Sequence, residues 1–255
     1  MPLYSVSNKA KIGNNVTIGD FTVIKDDVEI GNNVVIGTNV IIDDGARISD
    51  NVIIHHGAAV STIPQDLKFA GEYSNLELGE NTIVREFATL NRGTAASGKT
   101  IIGKNCLCMA YSHVAHDCIL GNNIILANSV NLAGHVELND YVIVGGISGI
   151  LQFVKVGTHT ILSAFSKVNK DVPPYITAGK EPVRFEGLNS IGLRRRNFTN
   201  KQINCIKEVY DVIYKSGLNV SDAVKKIKNT MEITTETKVI LDFISRSTKG
   251  IIGTV

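Results

Sequence analysis

The sequence of 255 residues predicts a parallel β-helix followed by a small α-helical domain. Three observations lead to this prediction. Aliphatic residues recur every six positions over most of the chain, small or β-branched residues recur four positions after them, and the apolar spacing changes to three and four residues near the C-terminus. A period of six indicates a solenoid, because each unit is too small to bury its apolar face alone.

The first column of aliphatic residues defines the repeat. Its members are Val6, Ile12, Ile18, Ile24, Ile30, Ile36, Ile42, Ile48, Ile54, Val60, Leu78, Val84, Leu90, Ile102, Cys108, Val114, Leu120, Leu126, Leu132, Leu138, Val144, Ile150, Val156, Leu162 and Val168. Of these 25 positions, 24 are Ile, Leu or Val, so the column is predicted to form the interior of the solenoid.

A second column lies four positions after the first and is also predicted to point inward. It comprises Val16, Thr22, Val28, Val34, Val40, Ala46, Val52, Ala58, Ser112, Cys118, Ile124, Val130, Val136 and Val142. Glycine followed by Asn or Asp often stands after the aliphatic residue and supplies a turn in each unit. Three units then make one coil of about 18 residues, and successive coils lie roughly 4.8 Å apart.

Two interruptions break the repeat and are predicted to be excursion loops near residues 61–77 and 95–101. Loops that break a solenoid usually lie over its binding surface. The repeat stops at residue 173, which predicts a solenoid domain over residues 1–173 and a helical domain over residues 174–255.

The helical domain has an amphipathic pattern. Thr199 is predicted to cap a helix that ends at Gly217. The apolar residues of this helix are Ile203, Ile206, Val209, Tyr210 and Ile213. A shorter helix is predicted through Val220, Val224 and Ile227, and a third from about Thr235 through Ile244.

Composition and charge exclude several classes of protein. Charged residues make up 20% of the chain and the formal net charge is +2, which argues against disorder and against nucleic-acid binding through bulk positive charge. Residues 1–11 lack the regions of a signal peptide, and the sequence lacks an apolar run long enough for stable membrane insertion. The 4 cysteines are expected to be reduced thiols in the cytoplasm.

The histidines are the first candidates for chemistry, because every one is predicted to face outward. They are His55, His56, His113, His116, His135 and His159. For His55, His56 and His159, nothing nearby in the sequence separates surface decoration from a ligand contact.

The sequence HVAHD places two histidines and a carboxylate in one turn. Because one coil takes about 18 residues, Gly134 is predicted to stack on His116 and His135 on Asp117, with Gln152 one coil further on. Such a group contains a general base, a carboxylate that orients it and a backbone N–H for an oxyanion, which acyl transfer requires. The group lacks an obvious outward Ser or Cys, which favours direct attack by a substrate hydroxyl or amine.

A zinc site is the competing interpretation. His113, His116 and His135 could supply three imidazoles. The adjacent Asp117 is better explained as the residue that orients the base, and the histidine spacing is not a recognised zinc signature. We therefore expect no metal and no diffusible cofactor.

Several motifs resemble those of a known family. They are HVAHDCILGNNIILANSVNLAGHVELNDYVIVGG, GILQF, DVPPY, GLRRRNF, the C-terminal SRSTKG, and PQDLKF in the first excursion loop. Over essentially its whole length the sequence resembles the bacterial UDP-N-acetylglucosamine O-acyltransferases, which catalyse the first step of lipid A synthesis. The HxxHD and LAGH motifs are the specific part, since the repeats alone indicate only the superfamily.

The resemblance implies catalytic roles for three residues. His116 matches the general base, which takes the proton from the glucosamine 3-hydroxyl as that oxygen attacks the thioester of a 3-hydroxyacyl group on acyl carrier protein. Asp117 matches the carboxylate that orients the base, and Gly134 matches the amide of the oxyanion hole.

Other positions match substrate-binding residues of the family. Those near the sugar and the acyl group are Asp66, Lys68, His113, His135 and Gln152. Asn189, Arg195 and Arg196 match the nucleotide end of the site, where an Arg fork suits a diphosphate. Ala164 stands where the family carries the residue that limits acyl length.

The family forms trimers of left-handed coils with active sites between subunits. The resemblance therefore implies a left-handed parallel β-helix, a homotrimer, acyl carrier protein and UDP-N-acetylglucosamine as partners, and the cytoplasm of a Gram-negative bacterium as location. Outward apolar residues such as Phe21, Ile53, Tyr111 and Ile125 are consistent with a trimer, because they need cover.

Three residues depart from the family pattern. Leu151 replaces a frequent His, Asn91 stands in a stretch that usually carries His, and Ile191 replaces an acidic residue. These departures concern nucleotide and acyl recognition, and they leave the base, its carboxylate and the glycine intact.

Two further classes compete with this function. A related enzyme that acts on a sugar amine should carry an additional N-terminal domain, whereas the repeat here begins by Val6. A non-catalytic solenoid would have no reason to stack His, Asp, Gly and Gln on one flank.

Overall fold

A computed structural model describes residues 3–254, which form a left-handed parallel β-helix with a helical region at its C-terminal end. The predicted fold class is confirmed. Residues 1, 2 and 255 of the predicted domains lie outside the described residues, and the division at residue 173 stays a prediction.

The strands are short, and each coil contributes one strand to each of three flanks. In chain order they are β1 Ser5–Val6, β2 Lys11–Ile12, β3 Thr17–Ile18, β4 Val23–Ile24, β5 Val28–Ile30, β6 Val35–Ile36, β7 Ile41–Ile42, β8 Ala46–Ile48, β9 Ile53–Ile54, β10 Ala59–Thr62, β11 Asn75–Leu78, β12 Ile83–Val84, β13 Thr89–Asn91, β14 Lys99–Ile102, β15 Leu107–Cys108, β16 His113–Val114, β17 Ile119–Leu120, β18 Ile125–Leu126, β19 Asn131–Leu132, β20 Glu137–Leu138, β21 Ile143–Val144, β22 Gly149–Ile150, β23 Lys155–Val156, β24 Ile161–Leu162, β25 Lys167–Val168, β26 Ile176–Gly179 and β27 Arg184–Leu188.

Every third strand belongs to the same flank. Flank 1 runs from β1 to β25, flank 2 from β2 to β23, and flank 3 from β3 to β24, where β26 and the antiparallel β27 extend it. We call the turns from flank 1 to flank 2 the first corner, those from flank 2 to flank 3 the second corner, and those from flank 3 to flank 1 the third corner. His113 pairs with Asn131 and Ile125 with Ile143, so uninterrupted coils stack with the 18-residue register that the sequence predicts.

The two inward columns form the core. From Ile24 to Val168 every member of the first column is at most 5% exposed. The first coil is different, because Ile12 is 37% exposed and Val6 and Ile18 are only partly buried. No preceding coil within the described residues covers these three side chains, so the end of the prism stays partly open.

The C-terminal region packs on the last coil. Its helices are α1 Ser190–Arg195, α2 Asn200–Lys215, α3 Val220–Thr230 and α4 Thr235–Ser245. The predicted cap of α2 is confirmed, since Thr199 and Gln202 form a capping box. The buried Tyr210 hydroxyl donates to the Pro174 carbonyl oxygen at 2.6 Å and thereby ties α2 to the solenoid. The hairpin of β26 and β27 and the short helix α1 were not predicted.

The cysteines are free thiols, and Cys106, Cys108 and Cys118 are buried in the solenoid. Burial raises the pKa of Cys106 to about 11 and that of Cys118 to about 12, so these thiols are poor nucleophiles. None of the helices within residues 3–254 combines the length and apolar character needed to cross a bilayer.

Candidate active site

The first corner holds the centre of the site. The turn after β16 presents His116 and Asp117, and Asp117 adopts a left-handed conformation with φ of 59°, which Asp tolerates better than most residues. His116 Nδ1 lies 2.8 Å from Asp117 Oδ2, and both side chains are buried. The carboxylate therefore fixes the ring of His116 and leaves Nε2 as the nitrogen that can meet a substrate.

Four donors surround the Asp117 carboxylate. Besides His116, the Thr94 backbone N–H donates to Oδ1 at 2.9 Å and the Thr94 hydroxyl to Oδ2 at 2.7 Å, while the Ser97 hydroxyl donates to Oδ1. Burial by itself raises the pKa of the Asp117 carboxyl, but the hydrogen bonds from Ser97, Thr94 and His116 outweigh burial and lower the pKa to about 2. Asp117 is therefore ionised at neutral pH.

Gly134 lies one coil above His116 and touches its ring. A Cβ atom at position 134 would lie 2.5 Å from His116 Cε1 and 2.7 Å from Nε2, so only glycine fits without displacing the imidazole. Within residues 3–254 the backbone N–H of Gly134 has no backbone hydrogen-bond partner. A free N–H beside a histidine is the arrangement that can stabilise an oxyanion.

His135 completes the stack at this corner. Its Nε2 lies 3.7 Å from Asp117 Oδ2, and its ring meets that of His116 edge to face at 5.2 Å between centroids. Phe153, on the next coil, stacks on His135 at 4.5 Å. Gln152 follows the same turn and is exposed.

The first excursion loop reaches this corner. Asp66 Oδ2 lies 4.0 Å from His116 Nε2, and the backbone N–H of Lys68 donates to Asp66 Oδ1 at 3.0 Å. The Lys68 side chain is exposed beside it. The loop therefore brings an acceptor to the open side of His116.

His113 lies on flank 1 beside the corner. Its Nδ1 is 2.7 Å from the Thr89 hydroxyl, and burial together with the neighbouring His116 lowers the pKa of His113. A neutral His113 suits a hydrogen bond to a sugar or an amide rather than an ion pair.

The residues matched to the nucleotide end lie at the second corner of the same chain. Asn189 is buried and caps α1, because Oδ1 accepts from the Gly192 backbone N–H at 3.0 Å and Nδ2 donates to the His159 carbonyl oxygen at 2.9 Å. The Arg196 guanidinium lies over the Tyr141 ring at 4.6 Å. Arg195 is exposed. A single chain does not bring these groups to His116.

Of the position matched to acyl length and the three residues that depart from the family pattern, three are exposed and one is buried. Ala164 is exposed at the third corner, and Leu151 and Ile191 are exposed at 42% and 67%. Asn91 is buried, and its Nδ2 donates to the Thr62 hydroxyl at 2.7 Å and to the Ile63 carbonyl oxygen at 3.1 Å. Asn91 therefore fastens the start of the first excursion loop.

Sequence reasoning missed the residues that hold Asp117. Ser97 lies in the second excursion loop, and Thr94 directly precedes it. Glu72, in the first excursion loop, connects the two loops by accepting from the Ala95 backbone N–H at 3.0 Å. The signal that could have found them is a cluster of small hydroxyl residues in a loop that breaks the coil just before the coil of Asp117.

The histidines do not group as the zinc interpretation requires. The side chains whose possible ligand atoms lie within 4.8 Å of one another are His116, Asp117 and His135, without His113. In this group the Asp117 carboxylate already accepts four hydrogen bonds, and His116 uses Nδ1 for one of them. A metal ion would have to displace these bonds, so the donor set fits a hydrogen-bonded base better than a metal centre.

The comparisons with known proteins agree with the fold. A family model described as bacterial transferase hexapeptide (six repeats) matches residues 9–44, and one described as UDP-N-acetylglucosamine O-acyltransferase, domain 2, matches residues 171–252. Fold and repeats thus define a hexapeptide-repeat transferase.

Full-length relatives define the family more narrowly. The acyl-[acyl-carrier-protein]–UDP-N-acetylglucosamine O-acyltransferase of Thiobacillus denitrificans is 43% identical over 252 residues and covers 98% of both chains. The solved structure of the UDP-N-acetylglucosamine acyltransferase from Bacteroides fragilis has a TM-score of 0.96 and 45% identity, covering 99% of both chains. A relative of the same curated name from Herminiimonas arsenicoxydans is 42% identical. The chain belongs to the UDP-N-acetylglucosamine O-acyltransferase family.

Proposed function

We propose that this chain transfers a 3-hydroxyacyl group from acyl carrier protein to the 3-hydroxyl of UDP-N-acetylglucosamine, the first step of lipid A biosynthesis. The observation that carries the proposal is the pairing of His116 with an ionised Asp117 directly beneath the unpartnered backbone N–H of Gly134. Membership of the family supports the choice of substrates.

His116 acts as the general base. Asp117 Oδ2 accepts a hydrogen bond from Nδ1–H, so the lone pair of the imidazole is on Nε2 and faces the open side of the corner. Nε2 takes the proton from the sugar 3-hydroxyl while that oxygen forms a bond to the thioester carbonyl carbon. Asp117 stabilises the imidazolium that results.

Gly134 stabilises the negative charge that develops on the carbonyl oxygen. Its N–H is free to donate and costs no reorganisation when the charge appears. When the tetrahedral intermediate collapses, the carbon–sulfur bond breaks and the carrier thiolate receives the proton from His116. The nearby Cys118 does not serve as a nucleophile, because its pKa is raised to about 12 and its thiol donates to the Ala133 carbonyl oxygen.

The remaining residues around the corner position the sugar and the acyl group. Asp66 is close enough to His116 Nε2 to accept from the same sugar, and Lys68 extends from the same loop. His113, His135 and Gln152 supply polar groups on successive coils. No metal or diffusible cofactor enters this mechanism.

Assembly into a homotrimer would supply the nucleotide end of the site. Asn189, Arg195 and Arg196 would then approach His116 of a partner, and Ala164 would limit the acyl chain from the third corner. The outward column of flank 3 supports this assembly because it is apolar over many coils. It comprises Val35, Ile53, Ile83, Leu107, Ile125, Ile143 and Ile161.

Flank 2 provides the contrast. Its outward column is mostly charged and forms ion pairs with itself, as in Lys11 with Glu29 at 2.7 Å and Lys155 with Glu137 at 3.1 Å. Such a ladder suits a face in water, whereas the column of flank 3 needs cover. We place the active trimer in the cytoplasm, where acyl carrier protein is available.

The activity is tested by one assay. The protein is incubated with UDP-N-acetylglucosamine and a set of 3-hydroxyacyl carrier proteins of different length, and products are identified by mass spectrometry. We expect one monoacylated sugar nucleotide, whose mass gives the preferred chain length, and the same product in the presence of 1,10-phenanthroline. Inhibition by the chelator would favour the zinc interpretation, and absence of product would refute the substrate assignment.

The assembly is tested by two matched variants. Ile125→Glu puts a charge on flank 3. Ile119→Glu puts the same charge on the preceding strand of the chain, β17, which belongs to flank 2. Sedimentation should give monomers for Ile125→Glu and trimers for Ile119→Glu and the unmodified protein. A trimer that survives Ile125→Glu would show that flank 3 is not the interface.

A further inference from the structure

Thr94 directly precedes the second excursion and contacts the Asp117 carboxylate, a contact that the proposed mechanism does not use. Thr94 lies just after β13, is 7% exposed, and donates to both oxygens of the Asp117 carboxylate, from its backbone N–H to Oδ1 and from its hydroxyl to Oδ2. A two-point contact of this kind fixes the plane of a carboxylate as well as its position.

The direction of the Thr94 hydroxyl is itself determined by a neighbour. The Ala96 backbone N–H donates to Thr94 Oγ1 at 3.2 Å, which occupies the oxygen and leaves its proton to point at Asp117 Oδ2. This Oδ2 is the oxygen that meets His116 Nδ1 at 2.8 Å. One carboxylate oxygen therefore links the threonine hydroxyl to the histidine.

We propose that Thr94 is a positioning residue for the transfer reaction, which acts through Asp117 to hold the His116 imidazole in its productive orientation. The proposal rests on the proposed function for its kinetic consequence. Without the hydroxyl, the carboxylate keeps its charge but gains rotational freedom, and the imidazole loses the fixed partner that aims Nε2 at the substrate.

Ser97 is a weaker candidate for the same role. Its hydroxyl donates to Asp117 Oδ1 but also lies 2.9 Å from the Lys99 carbonyl oxygen, and one proton serves both acceptors. Ser97 is exposed, whereas Thr94 is buried. Water can replace the Ser97 hydroxyl more readily than that of Thr94.

Thr94→Val removes the hydroxyl and keeps the shape of the side chain, and Thr94→Ser keeps the hydroxyl. We expect kcat of Thr94→Val to fall about 10-fold with KM within about twofold, and Thr94→Ser to stay near the unmodified protein. The matched control is Thr82→Val, because Thr82 is buried and donates to the Gly103 carbonyl oxygen at the second corner. That variant should lose stability in a thermal melt without losing kcat.

A double-mutant cycle separates positioning from mere loop support. If Thr94 acts through Asp117, adding Thr94→Val to Asp117→Ala lowers the residual kcat by less than about twofold. An equal loss in both backgrounds, or failure of Thr94→Ser to retain activity, would overturn the proposal.

A spectroscopic measurement keeps the proposal testable if the substrate assignment fails. In ¹⁵N-histidine-labelled protein, the Nδ1–H signal of His116 should be protected from exchange in the unmodified protein and in Thr94→Ser, and should broaden in Thr94→Val. An unchanged signal in Thr94→Val would refute the positioning role whatever the substrate is.

Discussion

Two corners of the solenoid each place a histidine among stacked rings. At the first corner His116 meets a carboxylate and the edge of His135. At the second corner His159 lies between Tyr141 at 4.7 Å and Tyr175 at 5.8 Å, with Phe198 against its edge. The two turns have the same backbone conformation at equivalent positions, where Asp117 and His159 have φ of 59° and 57°. His116 stands one position earlier in its turn than His159 does in its own.

The neighbours differ in charge. Burial and the Arg196 guanidinium lower the pKa of His159 to about 4, against a smaller opposing effect of Asp140. His159 Nδ1 is buried without a hydrogen-bond partner among residues 3–254. The comparison teaches that the repeat places a histidine at a corner, while the carboxylate in the same turn and the loop residues that hold it decide whether that histidine can act as a base.

The largest expected effect tests this division directly. His116→Gln should lower kcat about 10³-fold, because the general base is lost, whereas His159→Gln should change kcat by less than about threefold. Steady-state kinetics with both substrates varied measures the two effects. Comparable losses in kcat would mean that the second corner also takes part in the chemistry.

A second test sharpens the role of the first corner. Gly134→Ala introduces a methyl group within 3 Å of the His116 ring and should lower kcat about 10²-fold by displacing the imidazole from the carboxylate. Gly149→Ala is the control, since its Cβ would meet nothing within 4 Å. Full activity of Gly134→Ala would show that the ring does not need its present position.

The smallest effect concerns stability at the second corner. The pKa of His159 is lower in the folded chain than the ordinary value near 6.5, so the unfolded state binds the proton more tightly and stability is lost as pH falls from about 6.5 towards about 4. His159→Phe keeps the stack and removes the titration. Between pH 7 and 4.5 the unmodified protein should lose about 2 kcal/mol more unfolding free energy than His159→Phe, measured by urea titration.

Asp117 does not disturb this measurement. Its folded pKa of about 2 lies below the ordinary value, so its contribution is present above about pH 4 and disappears only as pH falls towards 2. Equal slopes for the unmodified protein and His159→Phe would mean that His159 is as easily protonated in the folded chain as in the unfolded one.

Periodicity predicted most of the solenoid because each coil repeats the same contacts. Ile36, Val60 and Leu132 are buried as their column requires. The exposure of Ile12 was not predictable from its column, since it depends on whether a coil lies below it. The hairpin of β26 and β27 also escaped prediction, because it extends flank 3 with an antiparallel strand after the repeat has ended.

Only those residues of the site that belong to the six-residue repeat could be placed from the sequence, because the coil register predicts which of them stack. Counting 18 residues places Gly134 over His116, and the contact between them in the structure follows from that register. Thr94 lies in a loop with no repeat, so no count connects it to Asp117. The sequence also gave no sign that Asn189 caps α1 and bonds the His159 carbonyl oxygen.

The sequence by itself determined the inward columns, the flanks and the stacking of one turn on the next, because a sixfold repeat in parallel strands admits a single register for burying its aliphatic residues. Only the tertiary structure decided which polar groups converge on that stack. Thr94, Ser97 and Asp66 reach the first corner through loops whose paths depend on contacts distant in sequence. Those contacts keep the Asp117 carboxylate ionised and orient it toward His116.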